Sequence, residues 1–206
     1  LRPQPRFRTR AKMLWDDTYF YVAAELEEPH VWATLTGRDD IILRDQDFEV
    51  FIDPGGDTHN YMELEVNAFA TEWDLLLVRA YRDGAPAVHE WDIPGLRTAT
   101  QVQGTINDPT DEDVGWTVEI AFPWEGIRRV AGAQVPPLDS DVWRVNFSRV
   151  ELQVTITGEA HGYASTSIPL IARSSGDHRM KWLTCAPAAP ATSVASINRK
   201  LMPPFL

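Results

Sequence analysis

Carboxylates recur at alternate positions along two neighbouring stretches of the sequence, DFEVFID at 47–53 and NYMELEVN at 60–67. A Gly-rich break, PGGDTH, separates the two stretches. Four kinds of chemistry use such a pattern. The carboxylates can form a solvated face, a general acid–base pair, a cation site or a surface that binds sugar hydroxyls.

The alternation predicts two β-strands that each have one apolar and one acidic face, because successive side chains of a strand point to opposite sides. The apolar set, which must face the core, is Phe48, Val50, Ile52, Met62, Leu64 and Val66. The opposite set is Asp47, Glu49, Phe51, Asp53, Tyr61, Glu63, Glu65, Asn67 and Phe69. If the strands pair as a hairpin around the Gly-rich turn, the acidic sets share one outer face.

Like charges on paired strands repel, so the outer face needs water, a cation, an Arg or a polyol to offset them. A third alternating stretch, WRVNFSR at 143–149, has the polar members Arg144, Asn146 and Ser148. Arg144 would neutralise Glu49, Glu63 or Glu65 if its strand lies in the same sheet. The sequence alone leaves that placement open.

Carboxylates, amides, an Arg and aromatic side chains are the mixture that sugars require. Charged and amide groups bind hydroxyls, and aromatic planes cover the apolar faces of a pyranose. We therefore predict a sugar-binding surface on the outer face, and the alternative is a solvated sheet face with an aromatic girdle. Its candidate ligand-binding residues are Glu49, Glu63, Glu65, Tyr61, Arg144 and Asn146.

Glycoside hydrolysis is a competing interpretation, because Glu63 and Glu65 lie one pleat apart on one face and that chemistry needs two nearby carboxyl groups. A catalytic acid also needs a pKa raised by burial, which an exposed sheet face does not supply. Catalysis therefore ranks below binding on the sequence.

The turn DPGGDTHN offers Asp53, Asp57 and Asn60 as oxygen ligands for calcium. The spacing is not that of an EF-hand, and Asp, Gly and Asn are also ordinary turn residues. Asp45 and Asp47, which flank Glu49, could instead join a cation. We carry Asp53, Asp57 and Asn60 forward as candidate metal ligands.

Short strands that alternate with turn signals predict an all-β fold, an antiparallel sandwich of jelly-roll type. The predicted strands cover 12–15, 19–26, 47–52, 60–70, 72–78, 97–106, 115–122 and 141–152. The stretch PWEGIRRVAG at 123–132 reads as the one short helix, with Pro at its start and Gly near its end.

Composition narrows the class of partner. The chain has 206 residues and a net charge of −11, so phosphate backbones and anionic membranes are poor partners whereas neutral sugars are not penalised. Cys185 is the only cysteine, which excludes an intrachain disulfide. No apolar run approaches the roughly 20 residues of a membrane span.

The last quarter of the chain differs in character from the rest. Residues 153–206 hold two acids and five bases, and they include the Ala-, Pro- and Ser-rich run CAPAAPATSVAS. We therefore divide the chain into a β-sandwich domain at 1–152 and a divergent, partly disordered segment at 153–206.

Four blocks, in order, resemble the family 9 carbohydrate-binding modules of polysaccharide-degrading bacteria. The blocks are AKMLWDDTYFYVAAEL, DQDFEVFIDPGGDTHNYMELEVNA, GWTVEIAFPW and WRVNFSRVE, within residues 11–152. The resemblance implies a β-sandwich, non-catalytic binding of oligosaccharide or polysaccharide ends, association with glycoside hydrolases, structural calcium and an extracellular or periplasmic location.

In the family, two Trp rings sandwich a terminal sugar and a Glu binds its hydroxyls. By position that Glu corresponds to Glu49, and Asn67 lies in the shared EVNA block, which makes it a further candidate. Leu43 stands where the first Trp is expected. After Leu152 the only Trp is Trp182, and its surroundings are unlike those of the second Trp.

Overall fold

A computed structural model describes residues 6–84, 86–132, 134–138 and 141–154. It also describes the backbone of three strands in the last quarter, at 160–174, 183–184 and 194–197. The proposed division at residue 152 stays a prediction, since most of 153–206 lies outside the described residues. Trp182 lies outside them too.

Most regular elements of the described chain are strands, as predicted. The strands are β1 Thr9–Trp15, β2 Tyr19–Glu27, β3 Asp47–Asp53, β4 His59–Asn67, β5 Glu72–Arg79, β6 Ala87–Val88, β7 Arg97–Gln103, β8 Gly115–Pro123, β9 Val142–Val154, β10 Ala160–Ser174, β11 Leu183–Thr184 and β12 Val194–Ile197. One α-helix, α1 Trp124–Ala131, and two short 3-10 helices, Ile42–Arg44 and Tyr81–Asp83, complete the elements.

The strands form two sheets. A five-stranded sheet has the order β11-β1-β2-β8-β7, and a seven-stranded sheet has the order β12-β10-β9-β3-β4-β5-β6. Neighbours pair antiparallel, except that β10 and β12 are parallel. The predicted β-sandwich is therefore confirmed, and β9 lies beside β3 in the same sheet.

The core lies between the sheets and is built from the apolar faces that the alternation predicts. Phe48, Val50 and Ile52 of β3 are buried against Phe20 and Val22 of β2 within one cluster. The rings of Phe48 and Phe147 stack at 5.6 Å, which ties β3 to β9. Burying these apolar faces is the main stabilisation of the sandwich.

The helix α1 follows β8 directly. Pro123 precedes its first turn, and Gly132 at its end has φ of 57°, a left-handed conformation that glycine adopts without strain. The indole N–H of Trp124 donates to the carbonyl of Asp16 at 2.8 Å. Among the described residues, no helix combines the length and the apolar character needed to cross a bilayer.

The outer face of the seven-stranded sheet differs from its prediction, because a layer of loop structure covers it. Ile42 of the first 3-10 helix packs on Trp73, Leu75 and Leu77 of β5, with Leu35 against them. The carboxylates of β3 and β4 are consequently buried rather than solvated. Alternation gives the faces of a strand but not whether a loop folds over one of them.

Candidate functional site

Four buried carboxylic side chains share one face of the sheet beneath this covering layer, and we call them the acidic cradle: Asp47, Glu49, Glu63 and Glu65. In the register of the sheet Glu49 lies opposite Glu65 on one side and Ser148 on the other. Glu63 lies opposite Phe51, one same-face position further along. The predicted hairpin thus places its acids on one shared face.

The cradle is buried, with no member more than 8% exposed. The Ser148 hydroxyl donates to Glu49, and the Tyr81 hydroxyl donates to Oε2 of Glu63 at 2.6 Å. The backbone N–H of Val150 donates to Oδ1 of Asp47 at 2.9 Å. These bonds fix the carboxyl groups in place and leave part of their acceptor capacity unused.

Burial shifts the protonation of the whole cradle. Removal from water raises the pKa of Glu49 to about 7 and, with a contribution from neighbouring carboxylates, that of Glu63 to about 8 and that of Glu65 to about 9. Burial, followed by the charges of Glu49 and Glu65, also raises the pKa of Asp47. At neutral pH the cradle therefore contains both carboxylic acids, which donate hydrogen bonds, and carboxylates, which accept them.

The predicted neutralisation by Arg144 is wrong. Arg144 lies opposite Asp53 in the register, at the far end of β3, and is exposed. Four residues of strand separate that position from Glu49, which is about 13 Å at the usual rise. Asn146 lies opposite Phe51, between the two ends, and is half-buried.

Asn67 has a structural role rather than the binding role predicted for it. Its amide N–H donates to the carbonyl of Leu35 at 2.8 Å and to Oδ2 of Asp45 at 3.0 Å. Its amide oxygen accepts from the backbone N–H groups of Phe69 and Thr71, both at 3.0 Å. A fully buried amide with these four bonds fastens the covering loop to β4.

The buried carboxylate of Asp45 is likewise satisfied by hydrogen bonds within the fold, without a cation. Its carboxylate accepts the backbone N–H of Thr34 and of Leu35, both at 2.8 Å, besides the amide of Asn67. The loop over the cradle is therefore held by a buried Asp–Asn pair. The sequence contained both residues, but nothing in it indicated that they meet.

Apolar side chains border the cradle. Leu43, in the first 3-10 helix, is 39% exposed, and its backbone N–H bonds to Glu65. Tyr81 is 54% exposed and Tyr61 is half-buried. Polar groups at the base with Leu and Tyr at the border are suited to a ligand that has hydroxyls and apolar C–H faces.

The turn that was predicted to bind calcium is held by its own backbone. The carboxylate of Asp53 accepts the N–H of Gly56 at 2.8 Å and of Thr58 at 2.9 Å, and Asp57 accepts the N–H of His59 at 2.9 Å. Asn60 is exposed, with φ of 50°. These bonds account for the carboxylates without a cation, and structural calcium stays a prediction of the resemblance.

Another acidic group lies outside the cradle. Asp39, Asp74 and Asp92 bring one oxygen each within 4.8 Å of one another, the one such group among the described residues. Arg38 pairs with all three and with Glu72. The guanidinium therefore already supplies the positive charge at this place.

Tyr81 is a site residue that the sequence analysis did not identify. Its hydroxyl reaches Glu63, 18 positions earlier in the chain, because the 3-10 helix folds back over β4. Ser148 was placed on the correct face but not among the candidates. A tyrosine in a polar turn was the one available signal for the first of these contacts.

Comparisons with known proteins agree with this architecture. The model of the carbohydrate family 9 binding domain-like family matches residues 3–154. No curated protein sequence gives a significant match. A candidate carbohydrate-binding protein from Bacteroides uniformis has a similar structure, with 20% identity and a TM-score of 0.54 over 77% of this chain and 68% of that chain.

A family 9 carbohydrate-binding module from Caldicellulosiruptor kristjanssonii, solved with cellotriose and with glucose, is also similar. Its identity is 15% and its TM-score 0.51, over 79% of this chain and 67% or 68% of that chain. At these identities the likeness establishes the fold, and the family model establishes the membership because it matches well over half of the chain. The chain belongs to the carbohydrate family 9 binding domain-like family.

Proposed function

We propose that the chain binds carbohydrate without transforming it, and that the acidic cradle receives the hydroxyl groups of a sugar residue at the end of a glycan. The observation that carries the proposal is the cradle itself, in a chain of a carbohydrate-binding family. Buried carboxyl groups that both donate and accept hydrogen bonds match the two roles of a sugar hydroxyl.

Glu49 is the proposed anchor. It is the most exposed member of the cradle, and Ser148 fixes one of its oxygens. Glu63, held by Tyr81, is the second contact. Leu43 and Tyr81 would cover the apolar side of the ring, so we expect weaker stacking than two indole rings would provide.

The wider setting is also a proposal. Membership of the family supports a role beside glycoside hydrolases in the breakdown of polysaccharides, and a location outside the cytoplasm. Calorimetry with the purified chain and a purified hydrolase of the same gene cluster would test the association.

Titration calorimetry against a panel of mono- and oligosaccharides tests the binding proposal. We expect weak binding of at least one neutral glycan, and its loss in Glu49→Ala. Glu119→Ala is the matched control, since Glu119 is half-buried on β8 of the other sheet. Absence of heat with every sugar would contradict the proposal and favour a module that has kept the fold but lost the site.

Glycoside hydrolysis is a second candidate, and one observation favours it. Burial raises the pKa of Glu63 to about 8, so this side chain is protonated at neutral pH as a general acid must be. The sequence-based argument against catalysis assumed an exposed face and is wrong on that point. Turnover of a chromogenic glycoside that disappears in Glu63→Gln or Glu65→Gln would establish catalysis.

A further inference from the structure

Two carboxylate oxygens of the acidic cradle are buried and have no hydrogen-bond partner among the described residues: Oδ2 of Asp47 and Oε2 of Glu65. Both side chains are at most 2% exposed. Buried polar atoms in native proteins are nearly always paired, so an unpaired pair within one cluster requires an explanation. When these carboxyl groups are ionised both atoms are acceptors, and a ligand that donates hydrogen bonds would satisfy them.

The cradle also has no ion pair within the part of the chain that the structure describes, and the one buried guanidinium that Asp47 influences, Arg149, lies on the core face of β9. None of the ion pairs found there involves Asp47, Glu49, Glu63 or Glu65. Glu49 and Glu65 lie directly opposite each other in the register of β3 and β4. When both are ionised they repel, and neither a neutral sugar nor a buried hydroxyl removes that repulsion.

One kind of ligand would supply both the hydrogen-bond donors and the positive charge that the cradle does not have. A protonated amine has three N–H donors and no acceptor, and it carries the positive charge that the cradle lacks. In its hydrogen bonds to carboxylates both partners are charged, whereas a neutral hydroxyl supplies no charge of its own. The border of Leu43 and Tyr81 suits the remainder of a pyranose ring, with its apolar C–H face.

We propose that the acidic cradle prefers a sugar with a free, protonated amino group, an unacetylated amino sugar, over the neutral hexose of the same shape. The proposal rests on the carbohydrate-binding function proposed above and specifies its ligand. The ammonium group would bind between Glu49 and Glu65, where the two carboxyl groups oppose each other. Acetylation of the amine removes the charge and two of the donors. An N-acetylated sugar should therefore bind no more tightly than the neutral hexose.

Protonation of the cradle adds a second, independent property to this preference. The carboxyl groups ionise one after another above about pH 7, and a bound cation stabilises their charged forms, so binding an ammonium should release protons. The other titratable or charged groups on the strands and loops around the cradle are Tyr61, Asp53, Arg144, Tyr81, Arg82, Asp83, Arg44, Asp45, His89, His59, Glu72, Asp74, Arg79, Glu151 and Arg149. Of these, Arg149, on the core face of β9, interacts electrostatically with Asp47.

The test is titration calorimetry of the whole chain with glucosamine, glucose and N-acetylglucosamine, and with short oligomers of each. We expect glucosamine to bind about tenfold more tightly than glucose near neutral pH, and N-acetylglucosamine to show no advantage. The ratio of the two affinities should rise from about pH 5 to about pH 7, because Glu49, whose pKa burial raises to about 7, begins to ionise there while the amine is still largely protonated. Repeating the titration in buffers with different ionisation enthalpies measures the expected proton release.

A matched pair of variants locates the preference. In Glu65→Gln the ratio of glucosamine to glucose affinity should fall towards one, because the amide cannot become an anion. Glu119→Gln, on the outer face of the other sheet, should keep the ratio of the wild type.

The outcomes separate this inference from the function on which it rests. If no sugar binds, the carbohydrate-binding function fails and the preference fails with it. If glucose binds as tightly as glucosamine, or the ratio survives in Glu65→Gln, the function stands and the preference for the amine is wrong.

Discussion

Two buried groups of carboxylates lie on opposite faces of the seven-stranded sheet, and among the described residues only one of them is paired with a cation. On the outer face the acidic cradle has no described ion pair. On the core side, at one end of the sandwich, Glu28 and Glu151 surround the guanidinium of Arg149, at 2.8 and 3.6 Å. Arg149 lies opposite Phe48 in the register and is 2% exposed.

The hydrogen bonds of Arg149 indicate what the core-side group does. The guanidinium also donates to the hydroxyl of Thr9 at 3.2 Å and to the carbonyl of Glu27 at 3.0 Å. It therefore joins β9 to β1 and to the end of β2, and its carboxylates are satisfied within the fold. The difference suggests that a balanced buried cluster supports structure, whereas an unbalanced one is left for a ligand.

Removing the counter-charge on the core side should have the largest effect. Arg149→Met would leave Glu28 and Glu151 buried without a cation, so we expect a loss of about 3–5 kcal/mol in the free energy of unfolding. Urea denaturation measures it. Arg128→Met, which removes an exposed i,i+3 pair with Glu125, should change stability by about 0.5 kcal/mol or less. If the two substitutions lowered the free energy of unfolding equally, the buried ion pairs of Arg149 would have no special structural role.

The pH dependence of stability should reveal the cradle. The pKa values of Glu49, Glu63 and Glu65 are raised in the folded state, to about 7, 8 and 9, above the value of 4.5 for an unperturbed Glu. The folded state therefore binds more protons than the unfolded state in this range, and stability falls as pH rises from about 5 to about 9.

The expected loss over that range is on the order of 1–3 kcal/mol, followed by urea denaturation at a series of pH values. Burial also raises the pKa of Glu28 to about 7, with the same sign, although Arg149 acts against it. Stability that is flat or rising between about pH 6 and about pH 9 would show that the cradle remains ionised without a cost.

Paired Glu→Gln substitutions sharpen the contrast at a single pH. At about pH 8 we expect Glu65→Gln to stabilise the fold by ~1 kcal/mol, because a neutral amide has no ionised form and does not repel Glu49. Glu151→Gln should instead destabilise it, since Arg149 loses a charged partner. Thermal or urea unfolding of both variants measures the sign of each change in the free energy of unfolding. Changes of the same sign would mean that the cradle and the core-side group do not differ in this respect.

The smallest expected change concerns the border of the cradle. Leu43→Trp would place an indole on an exposed position beside Glu65, and we expect sugar binding to tighten by about 0.5–1.5 kcal/mol. Stability should change by less than about 0.5 kcal/mol, because the Leu43 side chain is exposed. Unchanged affinity in calorimetry would mean that position 43 does not contact the sugar.

The fold was predictable because local signals agreed with one another. The alternation in 47–53 and 60–67, the Pro–Gly–Gly turn between them and the Pro and Gly at the ends of α1 all act over a few residues. Strand β4 shows the limit of this information. It was predicted to run to residue 70 but ends at Asn67, where the side chain of Asn67 accepts two backbone N–H groups and turns the chain.

The site was only half predictable, because its decisive contacts are distant in sequence. Glu49, Glu63 and Glu65 share a face as predicted, yet that face is covered by segments distant in sequence. Ile42 packs on the neighbouring strand β5, and the Tyr81 hydroxyl bonds to Glu63. The role of Arg144 depended on the register of β9 against β3. Alternation along β9 shows which face a side chain lies on but does not give this register. Asn67 was placed on the correct strand but its role depended on the loop at Leu35 and Asp45.

Carboxyl carbon NMR of the glutamate side chains, followed across pH with and without a bound sugar, tests the central claim most directly. We expect the signals and pKa values of Glu49, Glu63 and Glu65 to change when the sugar binds, while the signals of Glu28 and Glu151 stay the same. A sugar that binds and leaves all three cradle signals unchanged, or that moves Glu28 and Glu151 instead, would contradict the assignment of the acidic cradle as the binding site.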